Sequence, residues 1–157
     1  MTASVKTIHQ LYTSIANGDV SKIEECYADN VKFHDPVFGF LTADEVPKMW
    51  KMLISKSNKN LDLDYKIITI NKHTAEVKWT AVYFFGKNKR QITNHIQSKF
   101  RFKAGLIVKQ NDDFNIWKWS QQAFGLPGLL FGWTGYMQRK IQLKALSSLK
   151  NFNKTAS

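Results

Sequence analysis

The sequence predicts a one-domain α+β protein, three N-terminal helices followed by an antiparallel sheet and a helical tail, on two changes of pattern. Apolar residues recur at a period of 3.6 as far as Ile54 and at a period of two from Leu61 onward. The charge balance shifts after Asp113, beyond which the last 44 residues carry six basic and no acidic side chains. A chain of 157 residues can bury roughly 70% of its unfolded surface in one core. Its 43% hydrophobic content is too high for a disordered chain, despite a net charge of +11.

The first helix is expected over residues 4–17, where Ile8, Leu11, Tyr12 and Ile15 fall on one face and Asn17-Gly18 supplies the stop. Asp19 can cap a second, "VSKIEECYA", in which Ile23 and Tyr27 would share a face and Cys26 would be a buried helical thiol. "NVKFHDPVFG" then reads as extended chain running into a turn. Thr42 and Glu45 have capping-box spacing ahead of a third helix carrying Val46, Met49, Trp50, Leu53 and Ile54, with Pro47 in its first turn. Two strands follow. Leu61, Leu63, Tyr65 and Ile67 alternate with polar residues in one, and Ala75, Val77, Trp79, Ala81, Tyr83 and Phe85 do so in the other, with Asn71-Lys72-His73 as the hairpin turn between them. After "GKNKRQ", the run to Phe102 sorts Ile92, Asn94, Ile96, Ser98, Phe100 and Phe102 onto an inner face and Thr93, His95, Gln97, Lys99 and Arg101 onto an outer one. "LIVKQNDDFNIWKW" is expected to add further strand.

Several chemistries are disfavoured. With Cys26 the only cysteine, neither an internal disulfide nor a cysteine-based zinc site can form. His9, His34, His73 and His95 show no ligand spacing, so no metal is expected. No phosphate-cradling glycine loop or nucleophile elbow is present, and no cofactor is implied. The N-terminus lacks a signal-peptide core, and no apolar run approaches a membrane span, so a cytoplasmic protein is expected.

The order of these elements, with "LYTSIANGD" early, "FHDPVFG" in the middle and "FRFKAG" late, resembles the nuclear transport factor 2-like superfamily, and within it the ketosteroid isomerase and SnoaL-like branch, over roughly residues 4–119. The resemblance implies a cone-shaped fold, a curved antiparallel sheet wrapped by helices, whose interior takes a small apolar molecule or is packed shut. It also implies roles. Asp35 of "HDPV" matches the isomerases' general base, and Tyr12 resembles the first-helix tyrosine that donates to the developing enolate oxygen. A third family group, a carboxylic acid kept neutral by an apolar site, is replaced here by Ser98. Losing one preorganised donor costs on the order of 2.7–4 kcal/mol of barrier, which weakens the case for steroid isomerisation; Asn94, four residues back on the same face, is the candidate substitute. Trp79, Tyr83 and Phe100 are the expected ligand-lining rings. The plainer alternative for Asp35 is a carboxylate that caps the turn at Pro36.

Residues 1–120 are therefore read as the cone domain and 121–157 as a basic, amphipathic extension. In it "FGLPGLLFGW" is apolar, and the following helix sets Met137, Ile141, Ala145 or Leu146 and Leu149 apart from Arg139, Lys140 and Lys144. A lid or dimer element, an anionic membrane contact and a nucleic-acid patch compete for it, with nucleic acid the least favoured because no stacking motif is present. A homodimer through the outer sheet face would be ordinary for the family, yet Lys99, Arg101 and Lys103 form a like-charge row there. Two functions stay open: cofactor-free, isomerase-like proton transfer on a small apolar compound, and a non-catalytic module that binds a lipid, a membrane surface or a protein through the tail.

Overall fold

A computed structural model describes residues 1–57 and 61–156, so residue 157 of the expected extension lies outside the described residues. Helix α1 (Ala3–Asn17) starts at Thr2, whose hydroxyl accepts from the Val5 amide, and buries Ile8, Leu11, Tyr12 and Ile15. It ends at Gly18, whose φ of +70° suits a residue without a Cβ. A Cβ there would also press on Ile54 at 3.3 Å, so the stop doubles as a packing contact with the third helix.

Helix α2 is shorter than its sequence suggests. It covers only Val20–Glu24, and Cys26 and Tyr27 leave the helix. Tyr27 instead opens strand β1 (Tyr27–Asp35), where it pairs with Ile107 while the Cys26 carbonyl accepts from the Ile107 amide. Sheet pairing thus overrides local helical spacing. The Cys26 thiol is buried, which pushes its pKa up to about 12, with the Glu25 charge adding to it.

Strand β2 (Gly39–Leu41) folds back on β1, and Glu45 reaches back to both the Thr42 amide (3.1 Å) and hydroxyl (2.8 Å) to open α3 (Glu45–Ser57). Strands β3 (Asp62–Ile70), β4 (Thr74–Phe85), β5 (Arg90–Lys103) and β6 (Leu106–Asp113) complete a six-stranded sheet in the order β2-β1-β6-β5-β4-β3. Four of its five pairings are antiparallel; β1 runs parallel to β6, so the sheet is mixed where an antiparallel one was expected. The Asn71 side chain closes the β3–β4 hairpin by accepting from the amides of His73 and Thr74. In β5 the alternation is as expected: Ile92, Asn94, Ile96, Ser98, Phe100 and Phe102 are buried, and Lys99, Arg101 and Lys103 are exposed on the outer face.

The chain after Asp113 departs from the strand expectation. Asn115 caps a helix, α4 (Ile116–Phe124), by accepting from the Lys118 amide, so "NIWKW" turns helical and α4 runs through residue 120. Trp119 and Phe124 pack edge-on against Phe85, with ring centroids 5.3 and 5.9 Å away. A short α5 (Leu126–Phe131) and a long α6 (Gly135–Ala156) follow. Ile141 and Leu149 of α6 enter the same hydrophobic core as the helices and sheet. No helix among the described residues is long and apolar enough to cross a membrane.

Candidate functional site

The inner face of the sheet carries a chain of buried polar side chains. Trp50 Nε1 of α3 donates to the Tyr27 hydroxyl (3.0 Å), which donates to Gln110 Oε1 (2.6 Å). Gln110 Nε2 donates to both oxygens of Asp112 (3.0 and 3.2 Å). Ser98 Oγ donates to Asp112 Oδ1 (2.5 Å) and accepts from Trp79 Nε1 (2.8 Å). Ser98 and Asp112 meet because β5 and β6 pair them in register. Each member of this chain has its partner, as buried polar groups require. Burial still pushes the Asp112 carboxyl up to about 6, against the pull of its bonds from Ser98 and Gln110.

Asp35 is placed differently. It ends β1 immediately before Pro36, and its Oδ1 accepts from the Val37 amide (2.9 Å) and the Phe38 amide (2.6 Å). The turn-capping role is therefore real, yet it occupies one oxygen only; Oδ2 makes no hydrogen bond to the described residues. Burial raises the carboxyl to about 7, with the Asp112 charge adding to it and the two turn amides opposing. Asp35 in turn acts on Tyr83, whose phenol is pushed up to about 12 chiefly by burial. The Tyr83 hydroxyl accepts from Trp119 Nε1 (2.9 Å), so α4 reaches the same region as the carboxylate.

One further polar group faces the interior unpaired. The Tyr12 hydroxyl is fully buried and has no hydrogen-bond partner among the described residues. Its ring sits among Tyr65 (4.7 Å), Trp79 (5.4 Å) and Phe100 (6.4 Å). Burial and the Asp112 charge hold its pKa well above the ordinary tyrosine value, against the pull of the neighbouring Ser98 hydroxyl, which lies outside hydrogen-bonding geometry. Asn94 is buried between Ile92 and Ile96 on the inner face, yet among the described residues the Tyr12 hydroxyl is the side-chain atom that is both fully buried and without a partner. Leaving such a hydroxyl unmet is unfavourable, by about 1–3 kcal/mol.

The Asp112 charge thus acts on Asp35 and the Asp35 charge on Tyr83, while Tyr12, Trp79, Phe100 and Ser98 gather around one aromatic cluster. The Ser98 hydroxyl already donates to Asp112. The His34 ring lies tilted by 54° against Phe40, with centroids 4.5 Å apart. A concavity of about 700 Å³ lies elsewhere, lined largely by outward-alternating residues such as Asp64, Lys78, Thr80 and His95. Among the described residues no group of three His, Cys, Asp or Glu side chains could hold a metal. Sequence reasoning missed Asp112 and Gln110. They lie in the polar run "KQNDD", and only the bulged register of β6 sends them inward.

A cone of mixed sheet and helices holding buried carboxylates defines the class of protein. The model for the SnoaL-like domain matches residues 8–110, and the chain belongs to that family. A search of curated proteins finds no match. Among solved structures, the chain is similar to a protein described as a SnoaL-like polyketide cyclase from Jannaschia sp. CCS1, with a TM-score of 0.67 and 10% identity over 80% of this chain and 93% of that one. It is also similar to TerC co-crystallised with polyporic acid (TM-score 0.66, 12% identity, 77% of this chain and 98% of that one). An LEH-like epoxide hydrolase from M. tuberculosis covers more of the tail (TM-score 0.56, 13% identity, 94% of each chain). At these identities the likeness is one of fold.

Proposed function

We propose that this SnoaL-like protein binds a small apolar carbonyl compound in its cone and moves a proton on it without a cofactor, with Asp35 as the base. The observation that carries this reading is the Asp35 carboxylate, with one oxygen committed to the turn, the other unpaired, and a pKa raised to about 7 by burial. A base poised near the working pH combines a useful ionised fraction with driving force for proton transfer.

In the proposed step Asp35 Oδ2 takes the proton from the carbon beside the carbonyl, and the C–H electron pair moves to the carbonyl oxygen as an enolate. The Tyr12 hydroxyl, a donor with no protein acceptor, and the Asn94 amide on the inner face of β5 are the candidates to receive that charge; donors already in place cost no reorganisation as it develops. Asp35, now a carboxylic acid, returns the proton to a second carbon. Trp79, Tyr83 and Phe100 supply the apolar wall. The SnoaL-like polyketide cyclase and the TerC complex with polyporic acid support this reading by sharing the fold.

The test is enone formation, followed by ultraviolet absorbance, from a panel of β,γ-unsaturated ketones. Asp35→Asn keeps a side-chain oxygen for the Val37 and Phe38 amides, so the turn survives while the base is removed. Wild-type turnover should rise with an apparent pKa near 7 and fall by roughly a hundredfold or more in the variant. Turnover indifferent to Asp35→Asn would overturn the assignment.

A further inference from the structure

The corner between α4 and α6 breaks the usual rule for large apolar side chains. Leu126, Trp133 and Tyr136 are 66%, 64% and 75% exposed, and Leu129, Leu130 and Phe131 beside them are about half exposed. This is a contiguous stretch of sequence rather than scattered single residues, and monomeric proteins seldom leave such patches without a use.

The corner is also rigidly built. A Cβ at Gly128 would collide with the Ser120 carbonyl, so α5 can lie directly on the α4 backbone only with glycine there. Trp117 Nε1 donates to the Leu129 carbonyl (3.0 Å), Trp133 Nε1 to the Leu130 carbonyl (3.0 Å), and Thr134 Oγ1 to the Phe131 carbonyl (2.6 Å). Carbonyls at a helix end normally look to water for partners. Here three of them are satisfied from within, which lets the corner enter a less polar medium without stranding them.

Charge distinguishes the occupant. The outward stripe of α6 runs Tyr136, Lys140, Leu143, Lys144, Ser147 and Lys150, all exposed, and Lys140 sits over the Tyr136 ring at 5.5 Å. No acidic residue follows Asp113. A second copy of this face would bring like charges together. An anionic lipid surface answers both features, taking Leu and Phe below the headgroups, Trp and Tyr at their level and Lys among the phosphates.

We propose that the α5–α6 corner docks the protein on an anionic phospholipid surface, with Leu130 and Phe131 inserted, Trp133 at headgroup level and Lys140 and Lys144 among the phosphates. The corner lies beyond the stretch matched by the family model, residues 8–110. The proposal is independent of the chemistry assigned to Asp35.

The test is co-sedimentation of the full chain with vesicles of phosphatidylcholine alone and of equimolar phosphatidylcholine and phosphatidylglycerol, at low and high salt. Binding to the anionic vesicles should exceed binding to the neutral ones by about tenfold or more, and salt should weaken it. Leu130→Ser with Phe131→Ser, and separately Lys140→Gln with Lys144→Gln, should each lower it by about tenfold. These side chains are exposed, so circular dichroism should be unchanged. Failure to sediment with anionic vesicles at low salt would overturn the proposal. So would binding indifferent to the Leu130 and Phe131 changes, which would mean charge alone acts. A lipid-free dimer that those changes dissociate would assign the corner to a second copy instead.

Discussion

Two groups of buried polar side chains share the interior and differ in one respect. From Trp50 through Tyr27, Gln110, Asp112 and Ser98 to Trp79, every link is hydrogen-bonded. The Tyr12 hydroxyl and one oxygen of Asp35, by contrast, have no partner among the described residues. A satisfied network specifies how the core packs, whereas an unsatisfied one lowers stability and persists where something else supplies its partners. On the proposed reading the contrast separates a structural carboxylate, Asp112, from the base, Asp35, although burial raises both.

The largest expected effect lies on the unsatisfied side. Asp35→Asn should lower turnover by roughly 10²–10⁴ while its melting temperature stays close to wild type, because the turn cap is retained. A parallel loss of stability and activity would put Asp35 with the structural group. On the satisfied side, Gln110→Leu removes the acceptor of the Tyr27 hydroxyl and two donors to Asp112 at once. It should cost about 3 kcal/mol in urea unfolding.

A smaller effect comes from pH. Both carboxyls have folded pKa values raised above the ordinary 3.8, so the fold binds their protons more tightly than the unfolded chain does. Their contribution to stability is complete below about pH 4 and is lost as pH rises, through about 6 for Asp112 and about 7 for Asp35. Asp112→Asn should therefore flatten the fall in stability between pH 4 and 7 by about 2 kcal/mol, read from denaturant midpoints across that range. An unchanged slope would mean that Asp112 titrates normally. The smallest effect is the most diagnostic in sign. Tyr12→Phe deletes a hydroxyl that nothing satisfies and should leave stability unchanged or raise it by about 1 kcal/mol, while turnover falls. A clear destabilisation would reveal a partner for that hydroxyl and move Tyr12 into the structural network.

Much of this was legible in the sequence. The change of period near residue 60 separates the three helices from the strands, and the inner face of β5 follows from alternation alone. Asp35 stood out because a carboxylate before proline interrupts an apolar run. The misses share a cause. Tyr27 looked helical and "NIWKW" looked extended because spacing is local, while pairing with Ile107 and the Asn115 cap decide those segments. Asp112 was hidden because plain alternation from Ile107 puts it on the outer face of the expected strand, and the register shift that brings it inward opposite Ser98 leaves no mark in the sequence. In the tail the sequence left a lid or dimer element, a membrane contact and a nucleic-acid patch open, because an apolar string does not say which side chains face outward until Gly128 fixes how closely α5 approaches α4.

The most direct test of the central claim is proton abstraction itself. Apolar ketones incubated with the protein in deuterated buffer would be followed by NMR for exchange at the carbon beside the carbonyl, which needs no rearrangement of product. The account predicts exchange above the buffer rate, increasing with an apparent pKa near 7 and abolished in Asp35→Asn. Equal rates in the two proteins, including none above buffer in either, would contradict it.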